Sequence, residues 1–381
     1  MSSQPSAAVF AVEDRAVQVH WAWLAAGRYE VSVGDQAVTV HHEGGPGAVV
    51  VDGLQPATAY AVALNGRRVD RCTTLPALAG PELMRVATIS DLHLGETAFG
   101  RLPRIRSRGA DATYTTVCTR AALAEMTQWG AQLLVLKGDL SHTCSRWQFE
   151  VLAELLREVS VPYVVMPGNH DGGNHINDHP ASVLASQGIE LATTTTVRDQ
   201  NGFRVITANT VIKGHGHGRL VEHLDDLQGQ LATAPGAALL LLHHQFQRTK
   251  YPTYWPMGIL GAEAHRVLDT VAEANPRTLL SSGHTHRHRR HTHGPLVMTE
   301  VGSPIHYPGT WAGYVAHPDG IRQVVRRVSA PAAIAWTERT RSMMGGLWGR
   351  WAPGSLDDRC FAHSWMETPV TEPSNRHQAA L

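Results

Sequence analysis

The chain is 381 residues long, 43% apolar and 17% charged, the composition of a soluble globular protein with one large domain or two. Lys plus Arg (33) equal Asp plus Glu (33), so no overall field draws it to nucleic acid or to an acidic membrane surface, and neither is expected as a partner. The four cysteines, Cys72, Cys118, Cys144 and Cys360, form no CxxC pair, which argues against a zinc knuckle and against a disulfide framework.

The N-terminal segment has no basic stretch followed by an apolar one, since Glu13 and Asp14 fall where the apolar stretch would lie. No export signal is read, and a cytoplasmic protein is expected. From about Ala16 to Thr74 short runs (VQVHWAW, YEVSV, AVTV, AVVV, AYAVAL) alternate apolar and polar residues between Gly, Asp, Pro and Asn, the pattern of a small all-β domain. Within it LQPATAYAVAL, Leu54 to Leu64, resembles the corner of fibronectin type III modules, where a Tyr after a Pro-containing turn closes a β-sandwich. A Pro-, Ala- and Gly-rich linker, Leu75 to Leu83, sets the boundary, so residues 1–80 are read as this β-sandwich module.

From Arg85 the pattern changes. Short β-branched or Leu runs (RVATIS, LLVLK, VPYVVM, FRVITA, ALLLLH, TLLSS, LVMTEVG) alternate with helical stretches at Thr113 to Trp129, Trp147 to Val159 and Glu263 to Ala274, which indicates an α/β domain. The longest apolar run, Ala237 to Leu242, is too short to span a bilayer and reads as a buried strand. Around Ser329 the regular pattern ends. Residues 329–381 form a Trp-rich C-terminal extension with Trp336, Trp348, Trp351 and Trp365, read as packed on the body because disordered segments are poor in aromatics.

The 23 histidines raise the expectation of a metal site. Five of the apolar runs end directly in ligand-type residues: Asp91-Leu92-His93, Gly138-Asp139, Gly168-Asn169-His170-Asp171, His243-His244 and Gly283-His284-Thr285-His286. An α/β sheet places its site at such strand ends. On an extended segment Asp91 and His93 would point the same way, as would His284 and His286, so each pair is expected to grip an ion together.

Taken in order, DLH, GD, GNHD, H and GHTH resemble the signature of the calcineurin-like metallophosphoesterase superfamily, over roughly Val86 to Val328, and residues 81–328 are read as that catalytic domain. The resemblance implies a four-layer α/β/β/α sandwich behind the small all-β domain. It implies two metal ions per chain, with Asp91, His93, Asp139 and His286 on one and Asp139, Asn169, His243 and His284 on the other, Asp139 bridging. Oxygen and nitrogen donors without sulfur suit Mn²⁺, Fe²⁺/Fe³⁺ or Zn²⁺. The chemistry implied is hydrolysis of a small-molecule phosphodiester by attack of a metal-bridging hydroxide, with His170 near the leaving oxygen. Bacterial class III cyclic-nucleotide and glycerophosphodiester phosphodiesterases share the DLH, GNHD and HH segments. A phosphomonoesterase with the same centre, or a non-catalytic scaffold of this fold, is the alternative.

One position departs from the family pattern. Three residues after Asp139, where related enzymes carry an Asp that orients the histidine or a Tyr that binds iron, this chain has His142. The tyrosinate-iron subgroup is not expected, and the partner of His170 is left open. His142, His244, Arg101 and Arg104 are candidate substrate contacts, the arginines lying with Arg106 and Arg108 in the loop after DLH. Beyond His286 the run RHRRHTHG is read as a solvated hairpin turn.

Overall fold

The computed structural model describes residues 7–100, 104–107, 113–172, 179–247 and 255–365, so Arg101 and Arg108 lie outside the described residues. The chain opens with seven antiparallel strands, β1 (Ala7–Val12), β2 (Ala16–Leu24), β3 (Gly27–Val33), β4 (Gln36–His42), β5 (Gly45–Asp52), β6 (Ala59–Leu64) and β7 (Arg67–Thr73). They form sheets of order β1-β2-β5 and β4-β3-β6-β7, and Val17, Val19 and Trp21 of one share a core with Val31, Val33 and Val62 of the other. Alternate residues of β3 and β6 are buried because each sheet turns one face to the other, while Ala16–Val19 of β2 are buried on both faces.

Strands and helices then alternate. The first half holds β8 (Met84–Ile89), a short ribbon of β9 (Ala98–Phe99) and β10 (Ile105–Arg106), α1 (Tyr114–Gln128), β11 (Leu133–Lys137), α2 (Arg146–Arg157), β12 (Tyr163–Met166) and α3 (Pro180–Ala185). The second holds β13 (Thr196–Gln200), β14 (Phe203–Thr207), α4 (Leu224–Ala232), β15 (Ala238–Leu241), α5 (Gly261–Ala274), β16 (Thr278–Ser282), β17 (Arg289–His293) and β18 (Leu296–Glu300). After β19 (Thr310–His317) and β20 (Gly320–Arg327) come α6 (Pro331–Thr340), α7 (Leu347–Trp351), α8 (Leu356–Arg359) and β21 (Phe361–Ser364).

Two six-stranded sheets result, of order β12-β11-β8-β19-β20-β21 and β13-β14-β15-β16-β18-β17. Val86, Leu133 and Val135 of the first meet Val205, Leu239 and Leu279 of the second in one core. The intervening residues point outward: Ala87, Ile89, Leu134 and Leu136 pack on α1 and α2, and Ile206, Leu240 and Leu280 on α4 and α5. Both faces of each central strand are therefore buried, which is why the strands read as unbroken apolar runs rather than alternating ones. Helices, sheet, sheet and helices make a four-layer sandwich, the architecture that the sequence resemblance implies.

The histidine run after His286 is not a solvated turn. Residues 289–293 form the edge strand β17, paired antiparallel with β18, and only the turn at Gly294 is tight. His288 is fully buried, with Nδ1 accepting from Gly302 N–H at 3.2 Å and Nε2 3.2 Å from Thr310 Oγ1. Strand pairing absorbs a polar run here because the edge needs only one covered face. The C-terminal extension lies against neighbouring loops, with the Trp336 and Trp348 indoles donating to the carbonyls of Ile305 (2.9 Å) and Tyr307 (3.1 Å). Among the described residues no helix is long and apolar enough to cross a membrane.

The N-terminal sheet is joined to β20 by polar contacts. The Gln18 amide bonds the backbone of Arg327 in both directions at 2.8 Å, and Arg327 Nη1 donates to His20 Nδ1 at 3.0 Å. Burial first, and then Arg327, lower the His20 pKa to about 3. Below about pH 6.5 the unfolded chain takes up a proton that the folded ring refuses, so stability falls as pH drops through this window and is untouched above it. By pH 5 the loss is on the order of 1–2 kcal/mol. A His20→Gln variant should lose less thermal stability than the wild type between about pH 7 and pH 5; equal slopes for the two would remove His20 from the account.

Candidate metal centre

The parallel strands β8, β11 and β12 of one sheet and β15 and β16 of the other end on the same side, and each hands over to one of the ligand-type segments. Within each sheet the strand-end loops continue the pairing, Asp91 N–H donating to Gly138 O and His93 N–H to Asp139 O in one and Gly283 N–H to His243 O in the other, each at 2.9 Å. His284 N–H donates across the sheets to Asp91 Oδ2 at 2.9 Å. A Cβ at Gly283 would collide with Ser90 Oγ, and one at Gly168 with Asp139 N, so these two crossings require glycine.

Asp91, His93, Asp139, His284 and His286 all have left-handed backbone, with φ between 40° and 67°. Such residues cost about 1–3 kcal/mol each and persist where the surroundings over-determine them. The segments are thus not extended: Asp91 and His93 still come together, in the group that holds His286, but His284 and His286 face different groups. Asp91, Asp139, His243 and His284 bring ligand atoms within 4.8 Å of one another, as do Asp91, His93 and His286. Asp139 faces both sides, Oδ1 standing 3.4 Å from His243 Nε2 and Oδ2 3.7 Å from His93 Nε2. Asn169 Oδ1 completes the first side at 3.1 Å from His243 Nε2.

Three of the four clustered imidazoles are tied back through one nitrogen, so the other faces inward. His243 Nδ1 donates to Lys137 O (2.8 Å), His284 Nε2 to Met257 O (3.1 Å), and His286 Nδ1 lies 2.8 Å from His306 Nδ1. Inward, His286 Nε2 sits 3.2 Å from both Asp91 Oδ1 and His93 Nε2. Hydrogen-bonded outer nitrogens of this kind accompany metal-ligating histidines. The donor set therefore fits metal ions: buried carboxylates, an amide oxygen and inward imidazoles with no sulfur.

The electrostatics agree. Burial alone would raise the Asp139 carboxyl, but His243, His170 and His93 hold it well below its ordinary value. Asp91, equally buried, is likewise held down by His286. Burial and then His243 lower His284 to about 4, and His244 falls well below its ordinary value for the same reasons. Burial disfavours the His243 cation, yet Asp139 raises that ring to about 9. Ionised carboxylates and the neutral rings of His284 and His244 are forms that bind a cation, whereas His243, held as a cation by Asp139, gives up its proton when an ion binds.

His170 has a partner that the sequence left open. Its Nδ1 bonds the backbone carbonyl of His142 at 2.9 Å, its N–H donates to Asp139 Oδ1 at 2.9 Å, and its ring meets His93 edge-on at 4.5 Å. The His142 ring lies parallel to His170 at 6.0 Å. His244 is fully buried, with Nδ1 2.7 Å from Thr210 Oγ1 and the loop at Gly218 closing over its ring. Arg104 is exposed and lines a surface depression with Ile105, Glu338 and Arg339.

Two residues with clear roles were missed. Lys137, fully buried between the sheets, donates to Ser281 Oγ (2.8 Å) and Ser282 O (2.9 Å); a lysine closing the run LLVLK was the available signal. Asp171, quoted in GNHD without a role, accepts from Gly168 N, Leu140 N, Ser141 N and Ser141 Oγ at 2.7–3.0 Å and so holds the loop after Asp139 against the loop bearing Asn169. Each buried donor left without its acceptor costs about 1–3 kcal/mol, so Asp171→Ala should destabilise the metal-free chain by roughly 3 kcal/mol or more in urea unfolding. A loss below about 1 kcal/mol would show that this clamp is not what holds the loops.

Comparison with known proteins places the chain among phosphoesterases. The model of the calcineurin-like phosphoesterase family matches residues 84–288. The chain is 26% identical over 246 residues to a probable cyclic nucleotide phosphodiesterase of Synechococcus sp., covering 62% of this chain and 89% of that protein. It is 30% identical over 224 residues to the 3',5'-cyclic adenosine monophosphate phosphodiesterase CpdA of Escherichia coli, covering 56% and 73%. It is 23% identical over 187 residues to the probable glycerophosphodiester phosphodiesterase GpdQ of Arcobacter nitrofigilis, covering 46% and 63%.

Proposed function

The chain belongs to the calcineurin-like phosphoesterase family, and we propose that it hydrolyses a small-molecule phosphodiester at a binuclear centre. Asp91, His93, Asp139 and His286 would hold one ion and Asp139, Asn169, His243 and His284 the other. The observation that carries this reading is the Asp139 carboxylate, which presents one oxygen to each group of inward-facing side chains. When bound, the two ions acidify the attacking water and neutralise charge on the phosphoryl oxygens.

The chain's own residues supply position and a proton. Asp139 Oδ1 accepts the backbone N–H of His170, and His142 O receives the ring Nδ1–H, which holds the ring edge-on beside His93 and leaves Nε2 free of that carbonyl. In its imidazolium form His170 gives the Nε2 proton to the departing oxygen while Nδ1–H stays on the carbonyl. The phosphodiesterase names of the relatives support a diester substrate, a cyclic nucleotide or a glycerophosphodiester.

The test uses metal-stripped chain reconstituted with Mn²⁺, and separately with Fe²⁺ or Zn²⁺, on bis(p-nitrophenyl) phosphate and p-nitrophenyl phosphate. Faster turnover of the diester is expected. Preference for the monoester would replace the reading by a phosphomonoesterase with the same centre. Two bound ions without turnover of either would support a substrate-selective enzyme, and failure to bind ions a non-catalytic scaffold.

A further inference from the structure

We propose that Glu96 and His306, neither of them in the ligand set, are positioning residues that set the tautomer of His286 and thereby its capacity to hold an ion. The proposal rests on the two-ion reading above. Four side chains stand in a row: Asp91 Oδ1 is 3.2 Å from His286 Nε2, His286 Nδ1 is 2.8 Å from His306 Nδ1, and His306 Nε2 is 3.3 Å from Glu96 Oε2. Where two imidazole nitrogens meet, one must carry a proton and the other a lone pair. An ionised carboxylate only accepts, so Glu96 at 3.3 Å favours the tautomer of neutral His306 with its proton on Nε2. His306 Nδ1 is then bare and His286 donates from Nδ1, so that His286 Nε2 can offer a lone pair to an ion held with Asp91 and His93. Without an ion the Asp91 carboxylate, also only an acceptor, favours a proton there. Reversing the far end of the row would put a proton on His286 Nε2, and no ion could be held there.

The row is built from separate segments and fastened at each. Glu96 and His306 are both buried, and Glu96 N–H donates to His93 O at 2.9 Å. Phe99 stacks on the His306 ring at 3.8 Å. The residues on either side of His306 are gripped by the C-terminal extension: Trp336 Nε1 donates to Ile305 O, Trp348 Nε1 to Tyr307 O, and Tyr307 N–H to Thr340 Oγ1 at 2.8 Å. The Trp-rich extension thus acts on the centre through His306, a role that its sequence does not suggest.

The experiment titrates the metal-stripped full chain with Co²⁺, following visible absorption and competition with a chelator, for the wild type, Glu96→Gln, Glu96→Asp and His306→Phe. The Glu96→Gln side chain keeps its shape, but its amide can donate to His306 Nε2 and so permits the reversed row. One of the two Co²⁺ affinities should fall on the order of 10–100-fold in Glu96→Gln and His306→Phe, with an altered visible band, while the other site is unchanged and Glu96→Asp recovers part of the loss. Glu96→Gln should keep the unfolding midpoint of the metal-free chain, which separates tautomer control from damaged packing even if His306→Phe folds poorly. Wild-type affinities and an unaltered spectrum in Glu96→Gln would overturn the proposal and leave the two-ion reading standing. A wild-type chain that takes up no Co²⁺ would overturn both.

Discussion

Replacing Asp139 with Asn is expected to lower diester turnover by at least about 10³-fold and to abolish tight uptake of both ions. The two oxygens of this carboxylate face the two groups, Oδ1 toward His243 and Oδ2 toward His93. An amide keeps the shape but loses the charge and turns an N–H₂ toward one of them. It also weakens the anchor of His170, whose N–H donates to Oδ1. Metal analysis after gel filtration, beside kcat on bis(p-nitrophenyl) phosphate, tests both halves. An Asp139→Asn chain that retains two ions and wild-type turnover would remove the bridging role and, with it, the main support for a binuclear centre.

His170→Ala should behave differently, and the contrast is informative. The ring's Nδ1 is engaged by His142 O and no carboxylate oxygen is tied to its side chain, so its removal should leave metal content unchanged. Turnover should fall by about 10²–10⁴-fold where the leaving group is a poor one, the usual worth of a positioned acid. A p-nitrophenolate departs without help, so the loss on bis(p-nitrophenyl) phosphate should be smaller than on an alkyl diester. Equal losses on both substrates would mean that His170 positions the phosphoryl group and does not protonate the leaving oxygen. His142→Ala offers a check, since it keeps the carbonyl that orients His170 and should cost far less.

Much of the architecture was legible because burial leaves a direct mark on sequence. The strands from β8 to β18 that lie inside the sandwich are apolar on both faces, so RVATIS, LLVLK, ALLLLH and TLLSS announced themselves without any partner in view. The edge strand β17 did not. Its RRHTH is polar, and only pairing with β18 makes it a strand. The first strand, β1, was missed for a related reason, because AAVFAV precedes the alternating region and gains its meaning from pairing with β2.

The sequence by itself determined which residues stand at the strand ends, since a run of apolar residues followed by Asp, Asn or His reads locally. It also determined that the side chains gathered there would offer oxygen and nitrogen atoms. Only the tertiary structure decided how they face one another. Asp91, His93, Asp139, His284 and His286 adopt left-handed backbone that an extended-strand reading misses, because hydrogen bonds between neighbouring strand-end loops and across the two sheets, not local preference, select it. The supporting partners were equally hidden: Lys137 crosses from one sheet to the other, Met257 O and His142 O are backbone atoms with no signature, and Glu96 and His306 are 210 positions apart in the chain. A hydrogen bond needs geometry within a few tenths of an ångström, and that is settled by packing of distant segments, whereas the order of residues along one strand is not.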